Sequence, residues 1–124
     1  EKHLLGIEAL IPLAYRSRLL PLWRGLGFST GYIAGFFGAH SFYPTIVAVE
    51  TFVDHHYQDQ IRRLASEPAH RLIRLQLEKF RSDEINHKNE AAEWVVGKLS
   101  VGVRFWCALV NLGSQGAVAL SRRF

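Results

Sequence analysis

The sequence predicts an all-α fold, and three observations carry that prediction. Apolar residues recur in steps of three and four along most of the chain. No stretch alternates with period two strongly enough to compete as a strand. Breakers such as Pro12, Pro21, Pro68 and Gly97 fall between the periodic stretches and so delimit them.

Residues 1–11 read as the end of a helix, with His3, Ile7 and Leu10 on one side. Pro12 and Pro21 bracket a short connection containing Tyr15, Arg16 and Arg18. An aromatic, glycine-spotted helix over 25–43 follows, carrying Gly31-x3-Gly35. Its glycines lower helix propensity but let another helix or a lipid chain approach the backbone. Arg24, Ser29, Thr30 and His40 interrupt the stretch, so it makes a poor membrane span and reads as a lipid-facing or deeply buried helix. Pro44 suits the start of the next helix or a kink. That helix carries a seam of Val47, Glu50, Asp54, Tyr57, Ile61 and Leu64. Ser66 is the expected N-cap of the following helix, with Pro68 in its first turn, running from about 69 to 97. A last helix, about 100–123, carries Phe105, Trp106, Leu109, Leu112 and Val118.

With 124 residues the chain makes one domain, 1–124, large enough for a real core. One cysteine, Cys107, excludes an internal disulfide framework and a cysteine-based zinc site. A formal charge of +4 goes with scattered cations and no Lys/Arg run or recognition motif, which disfavours nucleic acid. Attraction to an anionic membrane surface fits the same charge. The sequence contains no methionine, so a processed or incompletely represented polypeptide is expected. No targeting peptide is visible.

The chemistry sits where polar residues interrupt apolar seams. Ile73, Leu77, Phe80, Glu84, His87, Ala91 and Trp94 follow the spacing of one buried helix face. An unpaired carboxylate there costs several kcal/mol (of order 3–5), so Glu84 needs a cation, a proton or a dense hydrogen-bond set. Residues i and i+3 share a face, so Glu84 and His87 can reach one ion from one helix. Glu50 and His3 stand on two further seams. A bundle that offers carboxylates and imidazoles from facing helices can hold two iron ions, with carboxylates bridging and imidazoles as neutral donors. A lone Glu-x-x-His also arises on solvated faces. In that case Glu84 pairs with Arg74, Arg81 or Lys88, and Glu50 bonds a tyrosine or histidine of a neighbouring helix.

In order along the chain, "LPLWRGLGF", "VAVETFVDHHYQDQIRRL" and "LEKFRSDEINH" resemble the 5-demethoxyubiquinone hydroxylase family of ubiquinone biosynthesis. The resemblance implies a ferritin-like bundle short of its first helix and part of its second. It implies an O2-dependent di-iron monooxygenase with two iron ions, hydroxylating the ring of a demethoxyubiquinol-type intermediate. By resemblance, Glu50 matches a lone carboxylate ligand, Glu84 and His87 the Glu-x-x-His, and His3 the histidine of an earlier Glu-x-x-His. The two remaining ligands fall outside this stretch: one glutamate directly before Glu1, the other on the first helix. Glu1 cannot replace the former, because residues two apart point about 200° apart around a helix. His56 and Tyr57 match the family's His-His-Tyr and are expected on the proton or substrate side of the site, although Tyr57 also suits a core position. Thr51 and Ala119 depart from the pattern, standing where a glutamate and a tyrosine are expected.

The implied partners are a long-tailed quinol, the membrane surface that holds it, a lipid-binding accessory protein and further copies or subunits; nucleic acid is not among them. The implied location is the matrix face of the mitochondrial inner membrane, or the cytoplasmic face of a bacterial one. Helix 25–43 and the last helix are expected to form the substrate route and the membrane contact. The alternative is a hydroxylase-derived, non-catalytic structural subunit of a membrane-associated complex. Plain iron storage is disfavoured by a surface rich in lipid-like contact residues.

Overall fold

The computed structural model describes residues 2–124 and folds them into five α-helices: α1 (Lys2–Leu10), α2 (Leu20–Phe36), α3 (Ala39–Leu64), α4 (Arg71–Glu93) and α5 (Val101–Ser121). Glu1 and the side chains of Lys2, Leu4, Ile7 and Tyr15 lie outside what is described. No strand occurs among the described residues, so the helical bundle stands as the sequence predicts. Short 3-10 turns, Leu13–Tyr15 and Pro68–His70, join α1 to α2 and α3 to α4.

α3 is the central helix. α4 packs antiparallel to it: Tyr43 stacks on Trp94 at one end, and Asp54 meets Arg81 further along. α5 runs parallel to α3, since Trp106 donates to Thr45 near the start of both and Arg122 approaches His56 near their ends. α2 returns antiparallel to α5, where Trp23 Nε1 donates to Ser121 Oγ at 2.7 Å. α1 lies against α4 in the opposite direction, with His3 beside Glu84 and Gly6 over Phe80. Arg16 folds back on the end of α1, donating to the carbonyls of Glu8 and Ile11 that the helix leaves free.

The structure corrects several boundaries. The helix expected over 25–43 is two helices, divided at Gly38. There φ is +87°, a conformation that side-chain-bearing residues rarely adopt and glycine accepts freely. α3 therefore starts at Ala39, a turn ahead of Pro44, which is buried within it. Ser66 caps neither the 3-10 turn nor α4: Glu67 and His70 hold the capping positions, without a side-chain cap. α4 ends at Glu93, before Gly97. α5 has the cap that α4 lacks, as Ser100 Oγ accepts from Val103 N at 3.2 Å.

The seam on α4 is buried in part. Leu77, Phe80 and Ala91 are buried, whereas His87 is 55% exposed and Trp94, past the helix end, is 65% exposed. The cause is coverage. α1 runs away from Glu84 toward Ile73, so no described element lies over the face beyond Glu84. Few side chains are fully buried, and large apolar ones are exposed along α2 and α5, Phe28, Tyr32, Phe36, Phe105 and Leu112 among them.

Candidate metal centre

Glu50 on α3 and Glu84 on α4 face each other across the central helix pair. One ligand atom each from Glu50, Glu84 and His87 lies within 4.8 Å of the others. Glu84 Oε1 is 2.6 Å from His3 Nδ1, and Glu84 Oε2 is 3.3 Å from His87 Nδ1. Three of the four predicted positions, Glu50, Glu84 and His87, thus meet in one cluster, and His3 joins it through Glu84.

The competing ion pairs are accounted for elsewhere. Arg81 Nε donates to Asp54 at 2.6 Å, Lys88 Nζ approaches the same carboxylate at 3.8 Å, and Arg74 reaches Glu78 at 3.6 Å. The reason is direction. Arg81 and Lys88 sit on the flank of α4 that meets Asp54, one helical turn beyond Glu50 on α3. Among the described residues Glu50 likewise bonds no tyrosine or histidine; the carboxyl group beside it is that of Glu84.

Two half-buried carboxylates in contact cannot both ionise cheaply. Burial, then the hydrogen bond and charge of Glu84, push Glu50 up to about 8. Burial works to raise Glu84 as well, but hydrogen bonds with Glu50, His3 and His87 hold it below its ordinary value. The pair therefore keeps one proton near neutral pH, with the negative charge on Glu84. A bound cation answers the same need with more charge. Hard oxygen and borderline imidazole donors, without thiolate, form a set that iron accepts, so the residues present fit an iron ion.

His3 is more fully fixed than the sequence suggested. Its Nε2 lies 3.1 Å from Asp83 Oδ2, and its ring stacks on Phe80 at 4.4 Å between centroids. Asp83, absent from the predicted site, orients the ring so that Nδ1 is the nitrogen presented to Glu84. The available signal was a second carboxylate directly before Glu84. Asp83→Asn should weaken Fe(II) or Co(II) binding by roughly 10–100-fold while leaving helicity unchanged. Unchanged affinity by calorimetric titration would count against this role.

Gly6 lets α1 sit this close to α4: a Cβ at this position would lie 2.7 Å from Phe80 Cζ. Gly6→Ala is expected to displace Phe80, and His3 with it. The stability loss should be about 1–3 kcal/mol in chemical denaturation, with weaker metal binding alongside. A neutral result in both measurements would show that α1 does not depend on this contact.

His56 and Tyr57 are adjacent in sequence and separated in space, as consecutive residues on a helix point about 100° apart. Tyr57 faces the carboxylates, and burial, followed by the charges of Glu84 and Glu50, pushes its hydroxyl up to about 12. His56 turns away, stacks on Phe52 at 6.0 Å and lines a polar cleft between α3 and α5 with Asp59, Cys107 and Asn111. Burial, then nearby Arg122, lowers its pKa, with Arg63 acting in the same sense and Asp59 against it.

Glu50 also reaches an open-sided cavity of about 480 Å³ lined by α2, α3 and α5. Trp23 and Trp106 line it, and Gly27, Gly31 and Gly113 leave its walls open; no other charged side chain joins Glu50 in the lining.

The family model described as "Ubiquinone biosynthesis protein COQ7" matches residues 1–121. The chain belongs to that family. Among similar curated proteins is the mitochondrial "NADPH-dependent 3-demethoxyubiquinone 3-hydroxylase" of Dictyostelium discoideum. It is 32% identical over 106 residues, covering 85% of this chain and 48% of that protein. The protein of the same name from Rattus norvegicus is 32% identical over 129 aligned positions, covering 100% of this chain and 58% of its own length. The human protein is 32% identical over 108, with 85% and 49% covered. The chain thus spans about half the length of the curated relatives it matches. No solved structure matches it significantly.

Proposed function

We propose that this chain carries the greater part of the di-iron site of a monooxygenase that hydroxylates the ring of a demethoxyubiquinol-type intermediate. The observation that supports it is the meeting of Glu50, Glu84 and His87, with His3 on the same carboxylate. These four residues would hold the iron, with the remaining ligands supplied from outside this stretch. Bound iron supplies the activation of O2.

The rest is the work of the protein. Glu50 stands at once in the metal centre and in the cavity wall, so a ring in the cavity lies next to the ligand set. The apolar lining excludes water and suits a quinol ring with an isoprenoid tail. Tyr57 keeps its phenolic proton at physiological pH and is placed to hold or donate it beside Glu84. His56, on the α5 side, is assigned to orient that flank. Reducing equivalents come from a reduced nicotinamide, as the relatives' names state for them. No helix among the described residues is long and apolar enough to cross a membrane. We assign it to the bilayer surface, at the mitochondrial inner membrane's matrix side, with the lipid-binding accessory protein as partner.

Iron analysis of the purified protein in its native assembly tests this reading. About two irons per chain, with hydroxylation of added demethoxyubiquinol, is the expected result. A folded, iron-free assembly would favour the structural-subunit alternative. Gly113→Leu should fill the cavity, because nothing lies within 4 Å of a Cβ built there. Turnover should fall at least tenfold with iron content unchanged, and unchanged turnover would place the substrate elsewhere.

A further inference from the structure

Charge is divided between the two sides of the bundle. All 11 acidic residues lie within residues 1–8 and 50–93, stretches that include most of α1, the second half of α3, and α4. Residues 9–49 and 94–124 contain no Asp or Glu. Their only charged side chains at neutral pH are cationic: Arg16, Arg18 and Arg24 in the first, Lys98, Arg104, Arg122 and Arg123 in the second. These two segments supply α2 and α5, which flank one cavity and meet where Trp23 bonds Ser121. Arg16 and Arg24 reach Glu8 of α1, at 3.7 and 4.0 Å; the other five have no carboxylate partner among the described residues.

The cations are placed in register with the exposed apolar side chains. On α2, Arg24, Phe28, Tyr32 and Phe36 follow one another at intervals of four and form a single exposed stripe headed by a cation. On α5, Val101, Phe105, Leu109, Leu112 and Leu120 form a second stripe, with Arg104 beside its start and Arg123 one turn past its end. An apolar stripe ended by long cationic side chains matches a helix lying in the lipid interface. There the rings and leucines enter the acyl boundary and the guanidinium groups stay at headgroup level.

We infer that the α2/α5 face is an anionic-phospholipid-selective membrane surface, held by its apolar stripes and selected by its cations. This rests on the reading of that face as the membrane contact, and it adds both the orientation and the lipid charge. The α2/α5 cavity then opens toward the bilayer, while the acidic half carrying Glu50 and Glu84 faces the aqueous side. An acid-free face is what a negatively charged surface requires, because a single carboxylate there would be repelled.

Vesicle flotation of the native protein tests the inference. Vesicles containing about one-third phosphatidylglycerol should bind at least tenfold more tightly than phosphatidylcholine alone, and added salt should erase the difference. Arg24→Gln and the pair Arg104→Gln/Arg123→Gln should lose about fivefold per charge on anionic vesicles only. Phe28→Ser/Leu112→Ser should weaken binding to both kinds. Equal, salt-insensitive binding to neutral and anionic vesicles would overturn the charge selectivity and leave the membrane reading standing. Binding to neither would overturn both, as would a stable dimer through this face that excludes vesicles. The iron and turnover measurements stand apart from all of these outcomes.

Discussion

Glu84→Ala is expected to cost the protein its metal and its activity together, with Fe(II) affinity falling more than 100-fold and the demethoxy intermediate accumulating in cells. The size of the effect follows from connectivity. Glu84 is in contact with Glu50 on α3, His3 on α1 and His87 on its own helix. Removing an outer hydrogen-bond partner of a metal ligand typically costs 10–100-fold in affinity. Removing the carboxylate at the hub costs more, since it takes away both a ligand and the group that orients two others. The fold should survive, because α3 and α4 are also joined by the Tyr43–Trp94 stack and the Asp54–Arg81 pair. Glu84→Gln keeps the shape and loses the charge, so it should reproduce the metal loss with wild-type helicity. Iron retained at wild-type stoichiometry in both variants, or hydroxylation continuing without the intermediate building up, would refute the assignment.

Much of this site could be read in the sequence, and the limits of that reading are physical. Periodicity places Glu50 and Glu84 on facing seams because each seam is a local property of one helix. The Glu50–Glu84 contact is also foreseeable once α3 and α4 pack antiparallel. Burial of the whole seam was not. It depends on which helix covers which turn, and α1 stops short of His87. Asp83 was missed for a similar reason: its partner, His3, lies 80 residues away in sequence. The break at Gly38 was hidden among many glycines, since only the fold shows which one takes the positive φ. The division of charge between the two sides of the bundle is written plainly in the sequence. It acquires meaning only once α2 and α5 are known to be neighbours.

Glu50→Gln should have opposite effects on the metal-free and metal-loaded protein. In the metal-free protein, Glu50 is pushed up to about 8, against an ordinary value of 4.5. The folded state therefore binds this proton more tightly than the unfolded state does. Its contribution to stability is complete below about pH 4.5 and is lost as pH rises through about 8. Glutamine cannot ionise, so the variant escapes that loss. Because Glu50 is only half buried, solvent screening reduces the full shift to an effect of ~1 kcal/mol, or several degrees in Tm at alkaline pH. With metal present the order reverses. Binding a cation requires the shared proton to leave, so wild-type metal affinity should rise with pH toward 8, releasing a proton on binding. The glutamine variant should bind poorly at every pH. Melting curves of both proteins from pH 5 to 9, with and without Fe(II), should therefore cross: the variant more stable without metal at high pH, the wild type more stable with it. Parallel curves under both conditions would mean that Glu50 does not share its proton with Glu84.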